Sequence, residues 1–225
     1  MISKFLILSV AGFSFLPMIA MAQISEVRIG VAQFDEDIID IEGDRNTDLG
    51  RATETSVSIS GEILFDEPRF LKWALSPQPY IGGSLNLEGN TSFAGAGLLW
   101  RQSLGKKFYG DFAVGLVGHT GTKRIEPSDE FVALLNQANG LDIDDIPSDL
   151  LDNINAGFDD LFARQSEEIE FGSRVLFRLQ GAIGYNLNKD WAGEVYIEHL
   201  SNGSVFSSTV NEGVNSLGIR AARKF

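Results

Sequence analysis

The chain is 225 residues long, 44% hydrophobic, without cysteine, and carries 31 acidic against 18 basic residues for a formal net charge of −13. That balance argues against nucleic acid and free phosphates as partners of its acidic stretches. The missing cysteines exclude disulfides, so stability must come from backbone pairing or a core.

Lys4 precedes an apolar stretch from Phe5 to Leu16, followed by Pro17 and then Ala20-Met21-Ala22. This order predicts a secretory signal over residues 1–22, cleaved before Gln23, because the apolar run falls short of the ~20 residues of a spanning helix. Residues 23–225 then form one domain.

Eight alternating segments follow, at 24–33, 52–65, 78–88, 91–104, 107–119, 172–187, 190–201 and 214–225. In a strand, residues i and i+2 share a face. The second segment sets Val57, Ile59, Ile63 and Phe65 against Glu54, Ser56, Ser58, Ser60 and Glu62. The sixth sets Val175, Phe177, Leu179 and Ile183 against Arg174, Arg178 and Gln180. The second face is too charged for the core of a sandwich. Inverted polarity of this kind predicts an all-β fold, an eight-stranded antiparallel transmembrane β-barrel, with lipid on the apolar face and paired polar side chains in the lumen. Val57, Ile59, Val175, Phe177, Leu179, Val195 and Ile197 are expected outward; Glu54, Glu62, Arg174, Arg178, Glu194 and Arg220 are expected inward. Glycines inside segments three to six, among them Gly97, Gly115 and Gly184, read as relief for a tightly curved sheet. Trp73, Trp100, Tyr109, Tyr185 and Trp191, near segment ends, suit an aromatic belt at the membrane interface.

The connections alternate in length. Gly105-Lys106-Lys107 and Asn188-Lys189-Asp190 read as tight periplasmic turns, while 66–77 on that side is longer than expected. Stretches 34–51, 89–90, 120–171 and 202–213 face outward. Residues 33–52 hold seven acids against two arginines, and 121–171 hold thirteen acids against three bases. The excess charge therefore lies on the outer side, where divalent cations can bridge it to lipopolysaccharide. Loop 120–171 is expected to be a long, partly helical extracellular loop, with helices at 128–139 and 148–164. Leu150, Ile154, Phe158 and Phe162 recur at helical spacing. Such an apolar face suits the barrel mouth or a partner chain, which leaves a homodimer open. Asp142, Asp144 and Asp145 lack the glycine and distal glutamate of an EF-hand, so no metal site is read there.

The seventh segment ends Glu194-Val195-Tyr196-Ile197-Glu198-His199-Leu200-Ser201, then Asn202-Gly203. Alternation puts His199 and Ser201 with Val195 and Ile197, on the lipid side. A serine hydroxyl needs a neighbouring base to become nucleophilic, and two residues along a strand lie about 6.6 Å apart at Cα. Backbone N–H groups near Asn202 and Gly203, where the ladder ends, are candidate oxyanion donors. His119, the other histidine, reads as a pore or rim residue.

The His199-Leu200-Ser201-Asn202 run, followed by Asn211-Glu212-Gly213, resembles the signature of the bacterial outer-membrane lipid A 3-O-deacylase family, PagL. The resemblance implies a serine esterase in the outer membrane that releases the 3-hydroxyacyl chain of lipid A, with lipopolysaccharide as its substrate. It implies Ser201 as nucleophile, His199 as general base and Glu212 as the group that orients the imidazole. Such a trio generates its own nucleophile, so no cofactor is expected. Strand parity counts against Glu212 unless a bulge intervenes, and Asn211 stays open as the third member. Two other readings also stay open: a non-enzymatic barrel serving as adhesin or structural protein, and an acyltransferase barrel.

Overall fold

The computed structural model describes residues 23–34, 55–142, 145–205 and 213–225. The signal expected over 1–22 and the lumen position expected of Glu54 lie outside these residues. Eight strands run β1 (Ile24–Phe34), β2 (Ser56–Phe65), β3 (Gln78–Asn86), β4 (Phe93–Ser103), β5 (Phe108–His119), β6 (Val175–Asn186), β7 (Trp191–Ser201) and β8 (Val214–Lys224). Each pairs antiparallel with its sequence neighbour, and β1 pairs with β8 to close the barrel. Closure removes the open edges that a sheet cannot leave unpaired in lipid. No described helix is long and apolar enough to cross a membrane.

Alternation decides what faces where. Ile29, Val57, Ile59, Leu179, Ile183, Val195 and Ile219 project outward and are exposed on the isolated chain, Ile29 to 64%. An apolar surface running around a whole barrel matches a hydrocarbon layer, not water. The longest described connection, between β5 and β6, lies at one end, and the tight β4–β5 and β6–β7 turns lie at the other together with the longer 66–77 connection; long loops mark the extracellular end of such barrels.

The lumen is filled, not open. Glu62 meets Arg178 at 2.6 Å, Arg220 at 2.9 Å and Arg28 at 3.2 Å. Arg28 also holds Glu26 and Asp111, both at 2.6 Å. Arg101 joins Glu26 and Asp111, each at 2.7 Å, while Arg220 pairs with Glu194 and Arg178 with Glu198. An isolated buried charge is costly, and interleaving both signs offsets that cost. Tyrosines complete the filling. Tyr109 donates to Glu194 at 2.6 Å and Tyr196 to Ser60 at 2.9 Å.

Two expectations change. Arg174 precedes β6 and is exposed, donating to the Gly121 carbonyl at 2.6 Å, because the strand begins only at Val175. Tyr109 is buried in the lumen instead of joining an aromatic belt, since it shares parity with Asp111 and Ala113. Trp100 and Trp191 do face outward, and the Trp100 indole donates to the Ala74 carbonyl of a 3-10 helix, Arg69–Ala74, between β2 and β3.

The long loop carries α1 (Asp129–Ala138) and α2 (Ser148–Glu167). Ser128 caps α1 by accepting from Phe131 N–H, satisfying one of the orphan donors of the first turn. The two helices pack on each other through Phe131, whose ring meets Phe158 at 4.9 Å and rests on Gly157. Ile169 and Phe171, at the loop's return, join Phe34, Phe93, Val117, Leu176, Leu200 and Val214 in an apolar stopper at the loop end of the lumen. His119 stands at that rim, its ring 4.6 Å from Phe171 and its Nε2 2.6 Å from the Ser173 carbonyl.

Candidate active site

Strand β7 sends Glu194, Tyr196, Glu198 and Leu200 into the lumen, which leaves Val195, Ile197, His199 and Ser201 on the outer wall. Register places Leu179 of β6 and Asn215 of β8 directly beside His199, and Phe177 beside Ser201. Asn215 shares the outward parity of Leu217 and Ile219. Its side-chain Oδ1 lies 2.9 Å from His199 Nδ1. An amide oxygen only accepts, so with the amide in this orientation the contact takes a proton on Nδ1, and in the neutral ring Nε2 then carries the lone pair. Ser201 is 9% and Asn215 5% exposed. Three polar side chains thus share a stretch of wall bordered by Phe177, Leu179, Ile197 and Leu217.

Beyond Ser201 the chain leaves the sheet through a tight turn. The Asn202 side chain is fully buried, donating from Nδ2 to the Phe171 carbonyl at 2.8 Å and accepting from Ser204 N–H at 2.7 Å. Its amide is therefore committed to structure, and through it the return of the long loop is tied to the residue after Ser201. Gly203 follows at φ +59°, and a Cβ there would meet the Phe177 ring at 3.2 Å. Both facts call for glycine. The turn lies over the outer wall beside Ser201, and among the described residues the Gly203 N–H has no hydrogen-bond partner. Residues 211 and 212 lie outside the described residues, as does Asp144 of the acidic trio in the long loop.

An apolar groove of about 880 Å³ opens farther along the same strands toward the turn end, with Ile183, Gly193, Val195, Ile219 and Ala221 in its lining.

The family model described as Lipid A 3-O-deacylase (PagL) matches residues 154–224, about a third of the chain. That stretch contains β6, β7 and β8 and with them the whole outer-wall cluster. The chain resembles this family. No curated protein matches the chain. Among solved structures, the outer membrane enzyme PagL is similar at 9% identity and a TM-score of 0.47, covering 89% of this chain and 100% of its own. Neisserial surface protein A (NspA) is similar at 9% identity and 0.46, covering 89% and 96%, and a designed transmembrane β-barrel at 10% and 0.45, covering 91% and 100%. The PagL match and the apolar, closed barrel together make this a bacterial outer-membrane protein.

Of the residues expected from the PagL signature, His199, Ser201, Asn202 and Gly203 fall together where β7 ends. Asn215 was not anticipated. Its parity with Leu217 and Ile219 was legible in the sequence, but which β8 residue stands opposite His199 depends on how much chain the 202–213 connection takes up.

Proposed function

We propose that the chain is a lipid A 3-O-deacylase, a serine esterase working on the outer wall of the barrel in the leaflet that holds lipopolysaccharide. The match to the deacylase family supports lipid A deacylation in general. The observation that carries the finer reading is the polar cluster of His199, Ser201 and Asn215 on a wall otherwise built for lipid. Polar groups there are costly unless they serve a purpose.

In this reading, Ser201 Oγ attacks the carbonyl carbon of the ester at the 3-position while His199 Nε2 takes the hydroxyl proton. The Gly203 N–H, which has no hydrogen-bond partner among the described residues, stabilises the oxyanion at the edge of the site. Collapse breaks the bond to the sugar oxygen, which leaves with the proton from His199. Water, deprotonated by the same imidazole, then releases the 3-hydroxyacyl chain as a free acid and restores Ser201. The groove lined by Ile183, Val195 and Ile219 offers an apolar path for an acyl chain running down the wall from the ester. The export signal over 1–22 and independence of any cofactor belong to the same proposal.

Ser201→Ala and His199→Ala are each expected to abolish release of the 3-hydroxy acid from lipid A while the barrel still inserts. Mass analysis of lipid A from cells making each form reads the result. Equal cleavage by the parent and Ser201→Ala proteins would end the esterase reading, and an acyl chain recovered on an acceptor instead of as free acid would make the protein a transferase.

A further inference from the structure

The imidazole of a serine esterase needs its proton on the nitrogen remote from the nucleophile, and a third group normally holds it there. On the outer wall, His199 is flanked by Ile197 and Ser201 along β7, by Leu179 on β6 and by Asn215 on β8. Asn215 alone among the described residues touches a ring nitrogen, with Oδ1 2.9 Å from Nδ1. It stands directly across a strand pair, where opposed side chains are held at about 4.5–5.5 Å between Cβ atoms. Such a position on the sheet itself is more rigid than one in a connection. Its burial, 5% exposed, also keeps water from competing for the contact.

We propose that Asn215 is the positioning residue of the site. Its carbonyl fixes His199 in the Nδ1–H form and leaves Nε2 as the base toward Ser201. This rests on the esterase reading above and departs from the expectation that Glu212 does the orienting.

The assignment has a chemical consequence, because an amide orients without charge. A carboxylate at this place also stabilises the imidazolium as it forms. An amide supplies the tautomer but not that electrostatic gain. The orientation of the amide is therefore decisive: turned the other way, Nδ2 would donate to Nδ1 and put the proton on Nε2, which disables the base.

The experiment has two parts. Nitrogen-15 NMR of the two histidines, separated by a His119→Gln control, reads the tautomer of His199 without requiring turnover. The Nδ1–H form is expected in the parent and in Glu212→Gln, and its loss is expected in Asn215→Ala. The second part is the pH–rate profile of lipid A deacylation. Asn215→Ala should lower kcat by about tenfold or more with little change in KM, as removal of an orienting group does. Asn215→Asp should keep the activity and move the acid limb of the profile to higher pH, since a carboxylate keeps the imidazole protonated further up the scale. Glu212→Gln should leave both rate and limb in place. A merely structural asparagine would not move the limb.

The proposal is overturned if Asn215→Ala retains the parental tautomer and rate, or if Glu212→Gln is the variant that loses both. Should Asn215→Ala fail to insert, Asn215→Ser and Asn215→Asp carry the same comparison. A parent protein that releases no acyl chain at all overturns the esterase reading, and the tautomer measurement still judges Asn215.

Discussion

Gly218 has no room for a methyl group. It faces the lumen from β8, and a Cβ there would lie 2.5 to 2.7 Å from atoms of the Tyr196 ring. Gly184 stands in the same relation to Tyr109. Read from sequence, Gly184 relieves curvature; the structure adds that it and Gly218 are the floors on which lumen tyrosines lie. Gly218→Ala should destabilise the barrel by about 1–3 kcal/mol, the usual cost of overpacking, and urea unfolding in detergent micelles measures it. Side-chain direction was legible for His199 and Ser201 because parity along one strand needs no partner. Asn215 illustrates the limit: its direction follows from Leu217 and Ile219, but its place opposite His199 is a matter of register between two strands, which parity within one strand does not contain.

The long loop divides into two functions at the scale of elements. Helices α1 and α2 pack Phe131 against Phe158 and Gly157, whereas Ile169 and Phe171 belong to the stopper in the barrel mouth. Phe171 also offers its carbonyl to Asn202, next to Ser201. Removing residues 125–168 should therefore leave an inserted barrel that still deacylates lipid A. Extending the deletion through Phe171 should lose activity along with the Asn202 anchor, and the two proteins can be compared by the release of hydroxy acid from lipid A in micelles. The helices themselves were readable, at 128–139 and 148–164, from Ser128 and from apolar residues at helical spacing. Helix α2 runs three residues past Arg164 to Glu167, and its cap N–H returns to the Arg164 carbonyl. That Phe171 reaches into the mouth was not readable, since nothing local in Glu170-Phe171-Gly172 distinguishes a plug from an exposed loop.

Across the whole molecule, the lumen is one ionic body. Glu62, on β2, bridges guanidinium groups from the adjacent β1 and, across the lumen, from β6 and β8. Glu62→Gln leaves Arg28, Arg178 and Arg220 short of a counter-charge. It should cost about 3–5 kcal/mol, the scale for breaking a buried pair on one side, as a lower urea midpoint with the barrel otherwise intact. The eight strands and their inward charges were legible because lipid and lumen impose opposite polarity on alternate residues, as Val57 against Glu62 and Leu179 against Arg178 show. The matching of particular charges was not, because Glu62 and Arg178 are brought together only by closure of the sheet.

On the proposed esterase reading, a filled lumen and a site on the outer wall also decide how substrate arrives. With the mouth stoppered by Phe171 and its neighbours, nothing reaches Ser201 from the bulk by way of the barrel. A lipid reaches it sideways, by two-dimensional diffusion within its own leaflet. The concentration that governs turnover is then the mole fraction of lipid A in the surface around the protein. Diluting that surface with inert lipid or detergent slows the encounter even when the amount of substrate in the vessel is unchanged.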